Sequence, residues 1–242
     1  MTAGHSIGRA VELWWLNAEL DADWRPYSWR VINLRERARA ESFRSSSNAL
    51  AFVSAHALKR EVLSQFLQVS PQSLRFSSQC AFCGKAHGKP VLEQDGSLDF
   101  NLSYAGNIAL VAVSQDAKVG VDIEEPRSLR FSVRATKDIL ANSELSYFSN
   151  VSDASLLKHW TRKEALLKAS GHGLTIAPSS IEIVPAGPRR WSVQYAPHLL
   201  EPNSWNISDL NIWPHVFGAL AVESEARQIE VTHLRTPRKG FE

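Results

Sequence analysis

Hydrophobic and polar positions change their period several times along the chain, and each change predicts an element. Val11 to Ala18 alternates as a strand does, while Asp21 to Trp29, with two tryptophans around Pro26, reads as a connection. Asn33 to Arg44 takes a helical and basic pattern. Asn48 to Gln68 continues as a long amphipathic helix whose apolar residues read as core, and it ends before Val69-Ser70-Pro71. Ser73 to Ser77 reads as a strand, a loop rich in Cys, Gly, Lys and Pro follows, and another strand closes on Ser103 and Tyr104 before the turn Ala105-Gly106-Asn107. Ile108 to Ser114 and Val119 to Glu124 read as successive strands. A helical stretch covers Thr136 to Phe148, and a stronger one runs from Ser155 to the glycines at 171 and 173. Strands follow near Ile181 to Val184, Trp191 to Tyr195, Trp205 to Ile212 and Val216 to Val222, and Gln228 onward reads as a last strand with a basic tail. Asn107 to Ser114 and His215 to Ser224 share a pattern, a weak sign of internal duplication.

The chemistry sits on two of these elements. Trp160, Glu164 and Lys168 are spaced i, i+4, i+8 on the second long helix and share a face, with Lys163 beside it. A Glu and a Lys one turn apart are most often a surface ion pair worth a few tenths of a kcal/mol. Val119, Val121 and Ile123 alternate with Gly120, Asp122 and Glu124, so both acids point from one face of a strand. Like charges on one strand face repel, and a hard divalent cation compensates them, because Mg²⁺ takes carboxylate oxygens together with phosphate oxygens and water. If Glu164 completes that cluster, Lys168 is placed to meet a phosphate held by the same ion.

The strand Gly120-Val121-Asp122-Ile123-Glu124, followed about 40 residues on by Trp160-Thr161-Arg162-Lys163-Glu164-Ala165-Leu166-Leu167-Lys168-Ala169-Ser170-Gly171-His172-Gly173, resembles the signature pair of the 4'-phosphopantetheinyl transferases. His87-Gly88-Lys89-Pro90 and Phe100-Asn101-Leu102-Ser103-Tyr104 match the same family in order, and the length matches its larger, surfactin-type monomeric class. The resemblance implies an α+β fold of two pseudo-symmetric halves, residues 1–115 binding coenzyme A and 116–242 holding the metal, with the active site between them. It implies Mg²⁺ (or Mn²⁺) on Asp122, Glu124 and Glu164, with Glu164 and Lys168 catalytic. Arg37, Arg39, Lys89, Ser103, Tyr104 and Lys168 are the implied coenzyme A contacts, Arg39 being the better match for the 3'-phosphate. The implied reaction moves 4'-phosphopantetheine from coenzyme A to a serine of an apo acyl or peptidyl carrier protein, a holo-[acyl-carrier-protein] synthase activity that releases 3',5'-ADP. Two positions depart from the pattern. Glu36 stands where a basic residue is frequent, and Tyr104 replaces the usual histidine, exchanging a group that can become cationic for a neutral hydroxyl. Other readings of the same acids are a different Mg²⁺-dependent phosphoryl hydrolase and an inactive coenzyme A or carrier-binding module.

Composition narrows the partners. A net charge of +2 and 44% hydrophobic residues describe a chain that can bury a core and has no whole-chain charge suited to nucleic acid. The long apolar runs are strand-length, so no membrane span is expected, and the start of the sequence lacks the pattern of a signal peptide. Two cysteines point to a reducing compartment, the cytoplasm by default. Cys80, Cys83 and His87 supply three of the four ligands a structural zinc needs, and a plain thiol pair is the simpler reading. Gly4-His5-Ser6-Ile7-Gly8 spells a hydrolase elbow but has no strand before it. Arg127, Arg130, Arg134 and Lys137 form a basic segment that suits an acidic partner surface.

Overall fold

The computed structural model describes residues 11–79, 84–85, 88–115, 117–126, 133–147, 152–196, 205–223 and 229–233. Strand β1 (Val11–Asn17) is followed by three helices, α1 (Trp24–Val31), α2 (Leu34–Glu41) and α3 (Ser46–Leu67). The short ribbon β2 (Phe76–Ser77) and β3 (Val91–Leu92) leads to three strands, β4 (Asp99–Ala105), β5 (Ile108–Ser114) and β6 (Val119–Glu124). Helices α4 (Val133–Ile139), α5 (Asn142–Tyr147) and α6 (Asp153–Ser170) follow, then β7 (Glu182–Gly187), β8 (Arg190–Tyr195), β9 (Trp205–Leu210), β10 (Phe217–Glu223) and β11 (Ile229–His233).

Two main sheets result, ordered β11-β1-β5-β4 and β6-β10-β9-β8-β7. In each, the similar segments noted in the sequence, β5 and β10, are interior strands lying under the long helices α3 and α6 respectively. The larger apolar clusters among the described residues follow from this layering. One lies between α1, α3 and the first sheet, with Trp24, Leu58, Leu63 and Phe100 fully buried. A second lies between α6 and the second sheet, and a third joins the two sheets through Leu13, Leu110, Val121, Ile123 and Leu220. Mixed helix and sheet in two regions is the α+β architecture expected.

Across the expected boundary at 115/116, β11 returns to pair in parallel with β1, Val11 opposite Ile229 through Trp15 opposite His233. Asp21 to Trp29 also differs from expectation, because Trp24 to Val31 is helical. Trp24, Ser28 and Val31 face the core there, and Pro26 lies in the first turn, where a missing N–H costs nothing. The strand read at Ser73 to Ser77 shrinks to Phe76–Ser77, and Thr136 to Phe148 is two helices rather than one. Cys80, Cys83, His87, Arg127, Arg130 and the segment 4–8 lie outside the described residues, as does the side chain of Arg134.

Candidate active site

The site is built where the edge of one sheet meets the edge of the other. β6 has β10 on one side only, so the N–H groups on its other side need partners. Alternate side chains of β4 provide them: Val119 N–H donates to Asp99 Oδ2 (2.6 Å), Val121 N–H to Asn101 Oδ1 (2.9 Å) and Ile123 N–H to Ser103 Oγ (3.2 Å). A ladder of three side chains therefore sets the register between the halves. Its signal in the sequence is the polar alternation Asp99, Asn101, Ser103, which the reading above passed over except at Ser103.

Lys89 locks the start of this ladder. Its ammonium donates to Asp99 Oδ2 (2.5 Å), Val119 O (2.9 Å) and Ala169 O (3.3 Å), so its three protons all have protein acceptors. Burial, only partly offset by Asp99, moves its pKa below the usual lysine value. In this structure Lys89 joins β4, β6 and α6.

The remaining strand face carries α6. A Cβ at Gly120 would lie 2.1 Å from Ala165 O and 2.4 Å from Ala169 N, so only glycine admits the helix this close to the strand. The helix starts at the Ser152 cap and ends at Gly171 in the left-handed conformation. Close packing brings Lys168 to Asp122, Nζ to Oδ1 at 2.6 Å, and to Ser103 Oγ at 3.3 Å. Ser103 in turn donates to Asp122 Oδ1 (3.1 Å). Burial raises the Asp122 pKa, opposed by Lys168, Ser103 and the Ile123 N–H. Burial works against the Lys168 charge, yet Asp122, Glu164 and Glu124 together hold its pKa above the ordinary lysine value. Lys163, the neighbour on α6, faces elsewhere: it is fully buried against Glu144 Oε2 (2.5 Å) and Ile139 O (2.8 Å) and anchors the α4–α5 segment.

Glu164 has its pKa pushed up to about 7, first by burial and then by the charges of Asp122 and Glu124, against the pull of Lys168. The charges of Asp122 and Glu124 therefore both reach the Glu164 carboxylate. Among the described residues, no three His, Cys, Asp or Glu side chains stand close enough to enclose an ion as they are arranged. The donor set nevertheless suits a divalent cation: Asp122 Oδ2 and Glu164 Oε1 are buried and make no hydrogen bond, and buried carboxylate oxygens ordinarily have partners.

Of the other expected contacts, Tyr104 is 37% exposed, with its ring edge toward Phe52. Burial raises its pKa, and the charges of Arg39 and Lys168 lower it, which puts its hydroxyl in a field shared by both cations. Arg39 rests its guanidinium over Phe43, 5.1 Å from the ring centroid. Arg37 is turned away, donating from Nη2 to Trp29 O (2.7 Å) at the end of α1. Arg39, Tyr104 and Lys168 therefore line the open face between α2, β4 and α6, and Arg37 does not join them. A cleft of about 530 Å³ lies elsewhere, at the β9–β10 turn, and none of the expected site residues lines it.

Residues 118–213 match the model of the 4'-phosphopantetheinyl transferase superfamily. The chain is 29% identical to the 4'-phosphopantetheinyl transferase HetI of a Nostoc species over 179 residues, 71% of this chain and 73% of the relative. It is 30% identical to the 4'-phosphopantetheinyl transferase psf-1 of Bacillus pumilus over 159 residues, 62% of each chain. It is also 26% identical to the 4'-phosphopantetheinyl transferase Sfp of Bacillus subtilis over 162 residues, 63% of this chain and 66% of that one. The family-model match spans β6 and α6, the two elements that carry Gly120, Asp122, Glu164 and Lys168. Over residues 118–213 the chain resembles the 4'-phosphopantetheinyl transferase superfamily, and the relatives it is similar to are themselves 4'-phosphopantetheinyl transferases, Sfp among them.

Proposed function

We propose that the protein transfers 4'-phosphopantetheine from coenzyme A to a serine hydroxyl of an apo acyl or peptidyl carrier protein, releasing 3',5'-ADP, with Mg²⁺ or Mn²⁺ required. The observation that carries this reading is the pairing of two buried, unpartnered carboxylate oxygens, on Asp122 and Glu164, with the Lys168 ammonium at the same place. Asp122, Glu124 and Glu164 would hold the metal, which when bound neutralises the diphosphate and orients it for in-line attack.

The chain's own groups divide the remaining work. Glu164, half-buried beside Asp122 and Lys168, accepts the proton of the carrier serine. The serine oxygen forms a new bond to the phosphorus bearing the pantetheine arm, and the bond from that phosphorus to the bridging oxygen breaks. The electron pair leaves on 3',5'-ADP. Lys168, kept charged by the three acids, stabilises the negative charge that develops on the phosphoryl and leaving oxygens. Ser103 fixes Asp122 from behind, and Arg39 with Tyr104 receives the anionic end of coenzyme A. The nucleophile belongs to the partner, so no catalytic Ser or Cys is needed here. A monomer in the cytoplasm is the working form consistent with the surfactin-type class. No described helix is long and apolar enough to cross a membrane.

Incubation with coenzyme A, Mg²⁺ and a panel of apo carriers, followed by intact-mass measurement, tests the reading. A carrier should gain one phosphopantetheine, EDTA should stop the reaction, and Mg²⁺ or Mn²⁺ should restore it. Unmodified carriers throughout, or full activity in EDTA or in Asp122→Asn, would reject it. Hydrolysis of coenzyme A without carrier modification would favour the phosphoryl hydrolase reading instead.

A further inference from the structure

Glu36 is the third residue of α2, one turn before Arg39, and it is buried. The helix needs it only as half of a capping box, in which Asn33 N–H donates to Glu36 Oε2 (3.0 Å) and Glu36 N–H to Asn33 Oδ1 (2.8 Å). The carboxylate does much more. Oε2 also accepts from Arg60 Nε (2.7 Å), and Oε1 accepts from Lys59 Nζ (2.9 Å) and from His56 Nδ1 (2.9 Å). His56, Lys59 and Arg60 all come from one stretch of α3, so a single carboxylate pins α2 onto that helix. A carboxylate only accepts, so the proton of this bond is on His56 Nδ1. Burial opposes the charge on Glu36, but the bond from His56, the Lys59 charge and the bond from Arg60 outweigh it and keep the group ionised.

From this hub two routes lead to the open face. Along α2, Glu36 fixes the turn that presents Arg39. Across α3, the His56 ring stacks on Phe52 with centroids 4.0 Å apart. Phe52 meets Tyr104 edge-on at 6.4 Å and Phe43 at 5.5 Å, and Phe43 is the ring under the Arg39 guanidinium. We infer that Glu36 is a positioning residue for anion binding: touching no ligand itself, it sets Arg39 and Tyr104 through its bonds to His56, Lys59 and Arg60. This rests on the proposed reading of coenzyme A as substrate.

The test is calorimetric titration of coenzyme A and of dephospho-coenzyme A into the wild type, Glu36→Gln and His56→Leu, with thermal unfolding of each. Glu36→Gln keeps the shape but removes the charge, and His56→Leu leaves Lys59 and Arg60 on Glu36 while cutting the route to Phe52. Both variants should bind coenzyme A about tenfold more weakly, the scale of one charge-assisted phosphate contact, and should bind dephospho-coenzyme A nearly as the wild type does. Val193→Ala, a cavity in the core under α6, serves as a control for lowered stability alone and should change neither affinity. Unchanged coenzyme A affinity beside a lowered Tm would make Glu36 a fold residue only and overturn the inference, and equal weakening for the two ligands would overturn the route through Arg39. A wild type that binds coenzyme A but modifies no carrier would instead reject the proposed function, so the two failures are distinguishable. A wild type that binds neither ligand overturns both.

Discussion

Replacing Lys89 discriminates sharply between a strut and a ligand contact. In the folded chain its side chain is 11% exposed and that of Asp99 26% exposed, so the pair is largely desolvated. Removing one member of a buried pair costs about 3–5 kcal/mol when the other is stranded. Asp99 is not fully stranded, because it keeps the Val119 N–H at 2.6 Å and some access to water, so about 2–3 kcal/mol is the expected loss in Lys89→Met. For a chain of this length that corresponds to a Tm lower by about 4–12 °C. Unfolding followed by circular dichroism gives the number. Asp99→Asn and the double variant then isolate the coupling, which should exceed about 1 kcal/mol. Coenzyme A affinity in Lys89→Met should fall only as far as the seam between β4, β6 and α6 loosens. A Tm within about 1 °C of the wild type together with a tenfold loss of coenzyme A affinity would refute the argument and return Lys89 to the ligand.

Gly120→Ala should destabilise by about 3 kcal/mol or more and abolish transfer, since the added methyl meets backbone atoms of α6 that cannot yield independently; normal melting would contradict the close approach. Tyr104→Phe should weaken coenzyme A by about 0.5–1.5 kcal/mol, one neutral hydrogen bond, and an unchanged affinity would leave the ring as packing against Phe52. His56 has its pKa lowered to about 4 by burial, then by Lys59, so the unfolded chain binds the extra proton first as pH falls. Stability from this group is complete above about pH 6.5 and is lost as pH drops through about 4, and His56→Leu should flatten that part of a pH–Tm curve.

The parts legible in the sequence share one property: their signal is local. Strands β5 and β6 were readable to the residue because each is a short apolar run cut off by turn residues. Asp122 with Glu124, and Glu164 with Lys168, were each readable as one face of a strand or a helix from period alone, whereas their meeting was implied only by the family resemblance. Helix α1 was not, since Trp24, Ser28 and Val31 become a helical stripe only once α3 lies beneath them. The same holds for side chains whose partners are remote. Glu36 looked like an anomaly because His56, Lys59 and Arg60 are some twenty residues away, and the acceptors of Lys89 could not be read because they sit on three other elements. No periodicity encodes such partners, although the Asp99, Asn101, Ser103 alternation could have been read as polar groups awaiting a neighbouring backbone.

The parallel pairing of β11 with β1 bears on the order in which the molecule can be completed. Synthesis delivers β1, β5 and β4 early, and they can assemble with α3 while the rest of the chain is still emerging. Until residues 229–233 appear, however, β1 is an exposed edge carrying Trp14 and Trp15, open to pairing with any other extended chain. The nascent chain therefore depends on its last described strand to close its first sheet, and severing the link before Ile229 would leave both halves folded in outline but prone to associate through β1.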